Sequence, residues 1–368
     1  MKYRFDQIAF NSTAKKTPTE SDKEHYIGLE HIDSECLEIS RWGSDVAPIG
    51  EKLIMKRGDV LFGKRRAYQR KLAIAPFDGI FSAHGMVLRP NEEIVDKDFF
   101  PFFMSSDMFM ERAVQISVGG LSPTINWKDL REQEFNLPPL TEQKILAEKL
   151  WAAYRLKESY KKLLAATEEM VKSQFIEMFE GDKYPYETLD CIAADWLKGQ
   201  PFRKDEMEES GIHSCIHYGE LFTKYGPVIS QVQSYTNSEP KRLSKQGDIL
   251  FPASDVTPNG LARCSMLPFD NVILGGDIII LRPKEGFNYG FLSYAINNQT
   301  FQLLTRVNGG VVKHMSSKSL KSVLIPIPPK DKQEEYIRIA HQADKSGFEL
   351  RKSIEAIDQV IKSLINNQ

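Results

Sequence analysis

Asn136-Leu137-Pro138-Pro139-Leu140-Thr141-Glu142-Gln143-Lys144 and Ile325-Pro326-Ile327-Pro328-Pro329-Lys330-Asp331-Lys332-Gln333 decide how this chain is read. In each, a Pro-Pro pair closes a mixed region and a long, polar, proline-free run follows, with a glutamine four residues past the second proline. Proline cannot continue a helix, whereas Thr141, Glu142 and Asp331 are capping or early acidic residues of the kind that start one. Two helices are expected, from about Thr141 to Phe179 and from about Asp331 to Asn366. At 1.5 Å per residue, about 40 residues span roughly 60 Å.

The two stretches lie 190 positions apart, and residues upstream of them recur in the same order. Gly58-Asp59-Val60-Leu61-Phe62 returns as Gly247-Asp248-Ile249-Leu250-Phe251, Pro76-Phe77-Asp78 as Pro268-Phe269-Asp270, and Leu88-Arg89-Pro90 as Leu281-Arg282-Pro283. Gly119-Gly120 matches Gly309-Gly310, and Gln143 matches Gln333. Any one match could be chance; together they describe a tandem duplication. Within the second helix Tyr336, Ala340, Ala343, Leu350, Ile354, Ile357, Ile361 and Leu364 alternate in steps of four and three around Gly347, and the first helix repeats the pattern with Leu146, Leu150, Ala153, Tyr160, Leu164, Thr167 and Val171. That is a heptad seam, with Lys157 and Gln174 interrupting it in the first helix and Gly347 in the second. A helix laid on its own domain is the competing reading. The shared interruption and the length favour two helices that pair with each other.

The expected architecture is α+β: two mixed α/β domains at 1–140 and 183–330, separated by long helical segments at 141–182 and 331–368. Length agrees, since 368 residues suggest about two domains. A net charge of −2 and a hydrophobic fraction of 41% describe a globular chain able to bury sizeable cores. The sequence has no membrane-length apolar run and its start lacks the apolar core of a signal peptide, so a cytoplasmic protein is expected. Its four cysteines, Cys36, Cys191, Cys215 and Cys264, are too scattered for a disulfide framework or a CxxC zinc site.

Near-neutrality argues against non-specific coating of nucleic acid but hides a local asymmetry. From Lys52 to Lys71 eight bases (Lys52, Lys56, Arg57, Lys64, Arg65, Arg66, Arg70, Lys71) face one acid, Asp59. The loop after Val60-Leu61-Phe62 interleaves Tyr68 with Lys64, Arg65, Arg66, Arg70 and Lys71, which suits phosphate bridging, guanine-edge recognition and aromatic stacking, although a solvated charged hairpin would look similar. The equivalent loop of the second half, Pro252 to Cys264, is nearly neutral; there Ser254, Asp255, Thr257, Asn259 and Arg263 are the polar readout candidates, while Pro258-Asn259-Gly260 is also a turn signal. Matching strands with different loops would read two different sequences. The Gly-Gly segments add Ser122 and Thr124 in the first half and Lys313 and His314 in the second, their glycines suiting either close approach to a phosphate or a tight turn.

Several enzyme classes lose their support by missing motifs. The chain has no G-x-x-x-x-G-K-[ST] loop, no glycine-rich cofactor fingerprint after a strand, no Asn-Pro-Pro-Tyr-like methylase motif and no nucleophile elbow. No nuclease carboxylate cluster stands out. His213, Cys215 and His217 alternate as one face of a strand would, rather than as a metal-ligand set. No metal site is expected. A two-domain enzyme acting alone on nucleic acid and a symmetrical protein-binding adaptor are the competing classes.

The order of variable domain, Asn136 to Lys144, long helix, second variable domain, Ile325 to Gln333 and second helix resembles the specificity subunit of type I restriction-modification enzymes over essentially the whole chain. Ser173 to Phe179, Ser-Gln-Phe-Ile-Glu-Met-Phe, is similar to the family's linker into the second domain. The resemblance implies two target-recognition domains, each reading one half of a bipartite, asymmetric site in double-stranded DNA, with the helices packed as an antiparallel coiled coil that sets the spacer. It implies a chain without catalytic activity, positioning two methyltransferase (M) subunits and restriction (R) subunits. S-adenosylmethionine, ATP and Mg would belong to those partners, and this chain would hold no cofactor. The alternative within the family is a specificity subunit of a methylation-only or other defence complex.

Overall fold

The computed structural model describes residues 1–366, so the end of the expected second helical segment, 367–368, lies outside the described residues. The chain divides into two compact units, one formed by Met1–Lys162 together with the chain from Leu350, the other by Leu163–Glu349. The long helices run from Leu140 to Phe179 and from Lys330 to Asn366, so each unit takes part of both.

In the first unit a four-stranded antiparallel sheet places Ala9–Ser12, Gly85–Pro90, Val60–Gly63 and Leu72–Ile74 side by side in that order. Its apolar run does not alternate with polar residues because both faces are covered. Val60, Phe62, Met86 and Leu88 face one core, with Phe5, Phe103, Phe109 and Phe135, while Leu61, Ala73 and Val87 face another, with Ile27, Met55 and Phe81. A second sheet joins Lys15–Lys16, Lys52–Met55, Gly79–Phe81 and Tyr26–Ile27, the last pair parallel.

The second unit repeats the plan. Ala193–Lys198, Ile278–Pro283, Asp248–Pro252 and Ser265–Leu267 form an antiparallel sheet in that order. Ile249, Phe251, Ile279 and Leu281 face a core containing Phe175, Phe179, Phe291 and Tyr336, and Leu250, Ile278 and Ile280 face the opposite one. Short strands close each unit at the helix entry: Lys2–Arg4 pairs with Glu134–Asn136, and Tyr186–Thr188 with Leu324–Pro326.

The repeated motifs acquire physical reasons. The buried carboxylate of Asp59 takes two bonds from the Arg89 guanidinium, at 2.7 and 2.9 Å, and the fully buried Asp248 takes two from Arg282, at 2.8 and 2.7 Å. Each aspartate also accepts the backbone amide three residues before it, Lys56 or Lys245, at 2.8 Å. The Gly-Asp and Leu-Arg-Pro repeats are thus the two ends of one bidentate ion pair that clamps neighbouring strands. Gln143 and Gln333 explain the helix entry. Each donates from Nε2 to the carbonyl of the first proline of its pair, Pro138 or Pro328, at 2.8 Å, and Gln143 also accepts from the amide of Asp96.

The heptad stripe has a less uniform role than its spacing implies. Leu146, Leu150 and Tyr336 are buried in the cores of their own units; Ile357, Ile361 and Leu364 join the first core and Val171 the second. Tyr160, Leu164, Leu350 and Ile354 are half-buried. Lys157 is not an interruption. Its side chain is 8% exposed and lies on the stripe, its ammonium 2.9 Å from Asp358 of the other helix within the first unit. Sliding that helix pair by a turn would leave the ammonium buried without its carboxylate, so the pair favours one register. Gln174 is half-buried and donates to Glu177 of its own helix at 3.1 Å, and Gly347 is buried. In the second unit Tyr336 donates its hydroxyl to the Val171 carbonyl at 3.3 Å and packs edge-on against Phe175. Among the described residues no helix is long and apolar enough to cross a membrane.

Candidate nucleic-acid interface

The basic loop and the Gly-Gly loop, more than fifty residues apart in sequence, meet in the first unit. The Ile125 amide donates to the Lys64 carbonyl at 2.9 Å, the Arg66 amide donates to the Pro123 carbonyl at 2.7 Å, and Arg65 bridges Thr124 through the backbone. Arg66 Nε also reaches Ser122 Oγ at 3.3 Å. The Gly-Gly loop closes on itself through reciprocal backbone bonds between Val118 and Thr124, with Gly119 at φ +110° forming the turn. Thr124 spends its hydroxyl on the Ser122 carbonyl.

A short turn at Ala67–Gln69 is held between Arg66 and Arg70, both in the left-handed region at φ +58° and +48°. Non-glycine residues seldom occupy it, so the surrounding contacts must hold the turn in place. Its outer face carries Tyr68, which is 56% exposed. Arg65 and Arg66 are exposed beside it. Arg70 points inward instead, donating to the Ser105 carbonyl at 2.9 Å and pairing with Asp107 at 2.7 Å and Glu35 at 3.6 Å. Lys71 is tied to the Leu29 carbonyl at 2.5 Å. The charge of Arg70 is thus matched within the chain, and both side chains help to hold the loop to its own unit. Burial, reinforced by the nearby Lys15 ammonium, holds Lys64 below the usual lysine range. Lys15 is a basic neighbour that the spacing along the chain could not reveal.

The second unit builds the same joint from different residues. Ser254 and Asp255 pair as a short strand with His314 and Lys313, the Met315 amide donates to the Ala253 carbonyl at 2.9 Å, and Asn308 and His314 exchange backbone bonds around Gly309, at φ +108°. Asn259 and His314 are exposed here. Thr257 caps the short helix Pro258–Leu261, and Asp255 accepts from the Thr257 hydroxyl at 2.8 Å and from the Val256 amide at 2.7 Å. Other candidates serve the fold. Ser254 is buried and donates to Asp277 at 2.7 Å, and Lys313 donates to the Gly309 carbonyl at 2.9 Å. Arg263 is corrected most sharply: its guanidinium bonds the carbonyls of Phe222 and Tyr225, each at 3.3 Å, and burial lowers its pKa. A group desolvated in this way supports its own unit rather than contacting a base.

The two loop joints therefore share a backbone frame and differ in surface chemistry. One presents guanidinium groups and a tyrosine, the other an amide, an imidazole and a carboxylate occupied by local bonds. His213, Cys215 and His217 form no ligand set: Cys215 is buried within the strand His213–Ile216, and His217 lies against the Tyr218 ring.

Comparison with known proteins matches residues 10–169 and 195–359 to the family described as the type I restriction modification DNA specificity domain. The chain is 25% identical, over 92% of its length and 84% of the relative's, to a protein of Methanocaldococcus jannaschii described as the specificity subunit of type I restriction enzyme MjaX. It is 22% identical to the EcoKI specificity subunit of Escherichia coli K12, over 79% of this chain and 68% of that one. The crystal structure of the type I restriction-modification S subunit from M. genitalium superposes with a TM-score of 0.63 at 15% identity, covering 99% of this chain and 94% of that one, and so shares its fold. With both halves matched to that domain, the chain belongs to the type I restriction modification DNA specificity family: it is a specificity subunit, a sequence-specific DNA-recognition protein.

Proposed function

We propose that this subunit reads a bipartite, asymmetric DNA target, with the domain at 1–140 binding one half-site and the domain at 183–330 the other. The observation that carries the reading is the loop joint built twice, with equal backbone bonds and unlike side chains. Equal frames dock in the same way, and unlike surfaces select different bases. Arg65, Arg66 and Tyr68 would read or grip the first half-site, with Lys64, Ser122 and Thr124 beside them. Asn259 and His314 would serve the second, with Asp255 and Thr257 shaping the loop. Phosphate contacts set the position and base-edge contacts the sequence.

The helical segments 141–182 and 331–368 would pair as an antiparallel coiled coil whose length sets the unread spacer. Two M subunits would dock on this scaffold and methylate adenine, with R subunits completing a restriction complex. Adenine must leave the stack for that chemistry, so this chain's part is to place the partners. Methylome sequencing of cells expressing the chain with its cognate methyltransferase tests the reading. The expected result is one motif of two different short half-sites separated by a gap of fixed length. A continuous motif, or two identical half-sites, would contradict it.

A further inference from the structure

The tips of the two Gly-Gly loops carry side chains that the fold does not use. Leu121 is 98% exposed, and Val311, its counterpart 190 positions on, is 90% exposed. A single exposed aliphatic residue is ordinary on a protein surface. Here the same position is aliphatic and bare in both loops, although the residues that follow differ completely, Ser122-Pro123-Thr124 against Val312-Lys313-His314. The residue before each tip is also glycine without internal cause. A Cβ on Gly120 or Gly310 would meet nothing within 4 Å, and neither has a positive φ, unlike Gly119 and Gly309. The chain itself asks for no glycine there, whereas an outside body passing close to the backbone would.

Both tips are also held from behind. The reciprocal bonds of Val118 with Thr124 and of Asn308 with His314 close the loops, and the Arg65–Thr124 and Ser254–His314 pairings fix them to their neighbours. In the first unit the adjoining residues are exposed Arg65 and Arg66, the latter bonded to Ser122, next to the tip. An aliphatic point beside guanidinium groups matches a duplex, which offers phosphates to the cations and a base step to the point. A protein partner would be served by the apolar tip alone and would leave the cations unexplained.

We propose that Leu121 and Val311 act as wedges, each entering a base step of its half-site and unstacking it while the backbone at Gly120 or Gly310 passes along the strand. The inference rests on the loops facing DNA. The specificity subunit in complex with its methyltransferase, given duplexes that carry the motif identified by methylome sequencing, tests it, with 2-aminopurine placed in turn at half-site positions other than the methylated adenine. Unstacking raises the probe's fluorescence at one step in each half-site. Leu121→Ala removes the signal from the first half-site only and lowers affinity about 10- to 100-fold, the loss expected when a buried leucine is truncated. Val311→Ala acts on the second half-site only, and Leu121→Met restores the first. If Leu121→Ala leaves affinity and fluorescence unchanged while Arg65→Ala with Arg66→Ala weakens binding, the wedge is overturned and the interface stands. If neither change affects binding, the interface reading fails and the wedge with it. Loss of methyltransferase co-purification from Leu121→Ala in the absence of DNA would make the tip a protein contact, which also overturns the proposal.

Discussion

Replacing Arg65 and Arg66 together with alanine is expected to weaken binding to the cognate duplex by about 10- to 1,000-fold, and to do so through one half-site only. Both side chains are exposed on a loop whose backbone is fixed by the Ile125 and Arg66 amides, so their removal changes surface charge and gives up only the Arg66–Ser122 side-chain bond while the backbone bonds of the joint stay. The salt titration separates their roles. Two lost phosphate contacts lower the slope of log affinity against log salt by about 1.8, because each releases about 0.9 counterion. An unchanged slope with relaxed base preference at one position would assign them to base edges instead, worth about 1–3 kcal/mol each. Unchanged affinity and unchanged slope would remove the loop from the interface. Arg70→Ala should behave differently, lowering stability through Asp107 and Glu35 before it affects the salt slope.

Asp248→Ala is expected to lower the stability of the second unit by about 3 kcal/mol, since it strips a bidentate partner from the partly buried Arg282 and the acceptor from the Lys245 amide. The equivalent Asp59→Ala should cost less, about 2 kcal/mol, because Arg89 is 39% exposed against 22% for Arg282 and recovers more hydration. Denaturant unfolding of the full chain followed by limited proteolysis locates each loss in its own unit. Asp248→Asn retains part of the hydrogen bonding and should recover about half. Equal, small effects at both sites would mean that the clamps contribute little and that the repeats record ancestry alone.

The two helices were legible because proline, capping and periodicity act over a few residues. Leu140 and Lys330 begin them within one residue of where the Pro-Pro pairs place the start. The duplication was legible for a similar reason: Asp59 and Asp248 stand in like local sequences, and each clamps the equivalent strand of its own unit. The role of that clamp was not, since Asp248 and Arg282 meet only after the sheet forms. Residue type located the basic loop but did not sort it. Arg66 and Arg70 read alike along the chain, and only the placement of Asp107 and Ser105 turns one inward and leaves the other exposed. Arg263 illustrates the same limit more strongly, because the carbonyls that absorb its charge, Phe222 and Tyr225, come from a segment forty residues away. Lys157 shows the reverse case. A charge on an apolar stripe reads as a break, yet one carboxylate on a facing helix makes it part of the packing.

The reading of the helices as a ruler between two half-sites is the central claim, and removing one heptad from the middle of each long helix tests it most directly. Seven residues shorten a helix by about 10 Å, close to three base pairs at about 3.4 Å each. Methylome sequencing of cells carrying the shortened subunit with its methyltransferase should return both half-sites unchanged and a gap reduced by about three base pairs. An unchanged gap, or altered half-sites, would contradict the account.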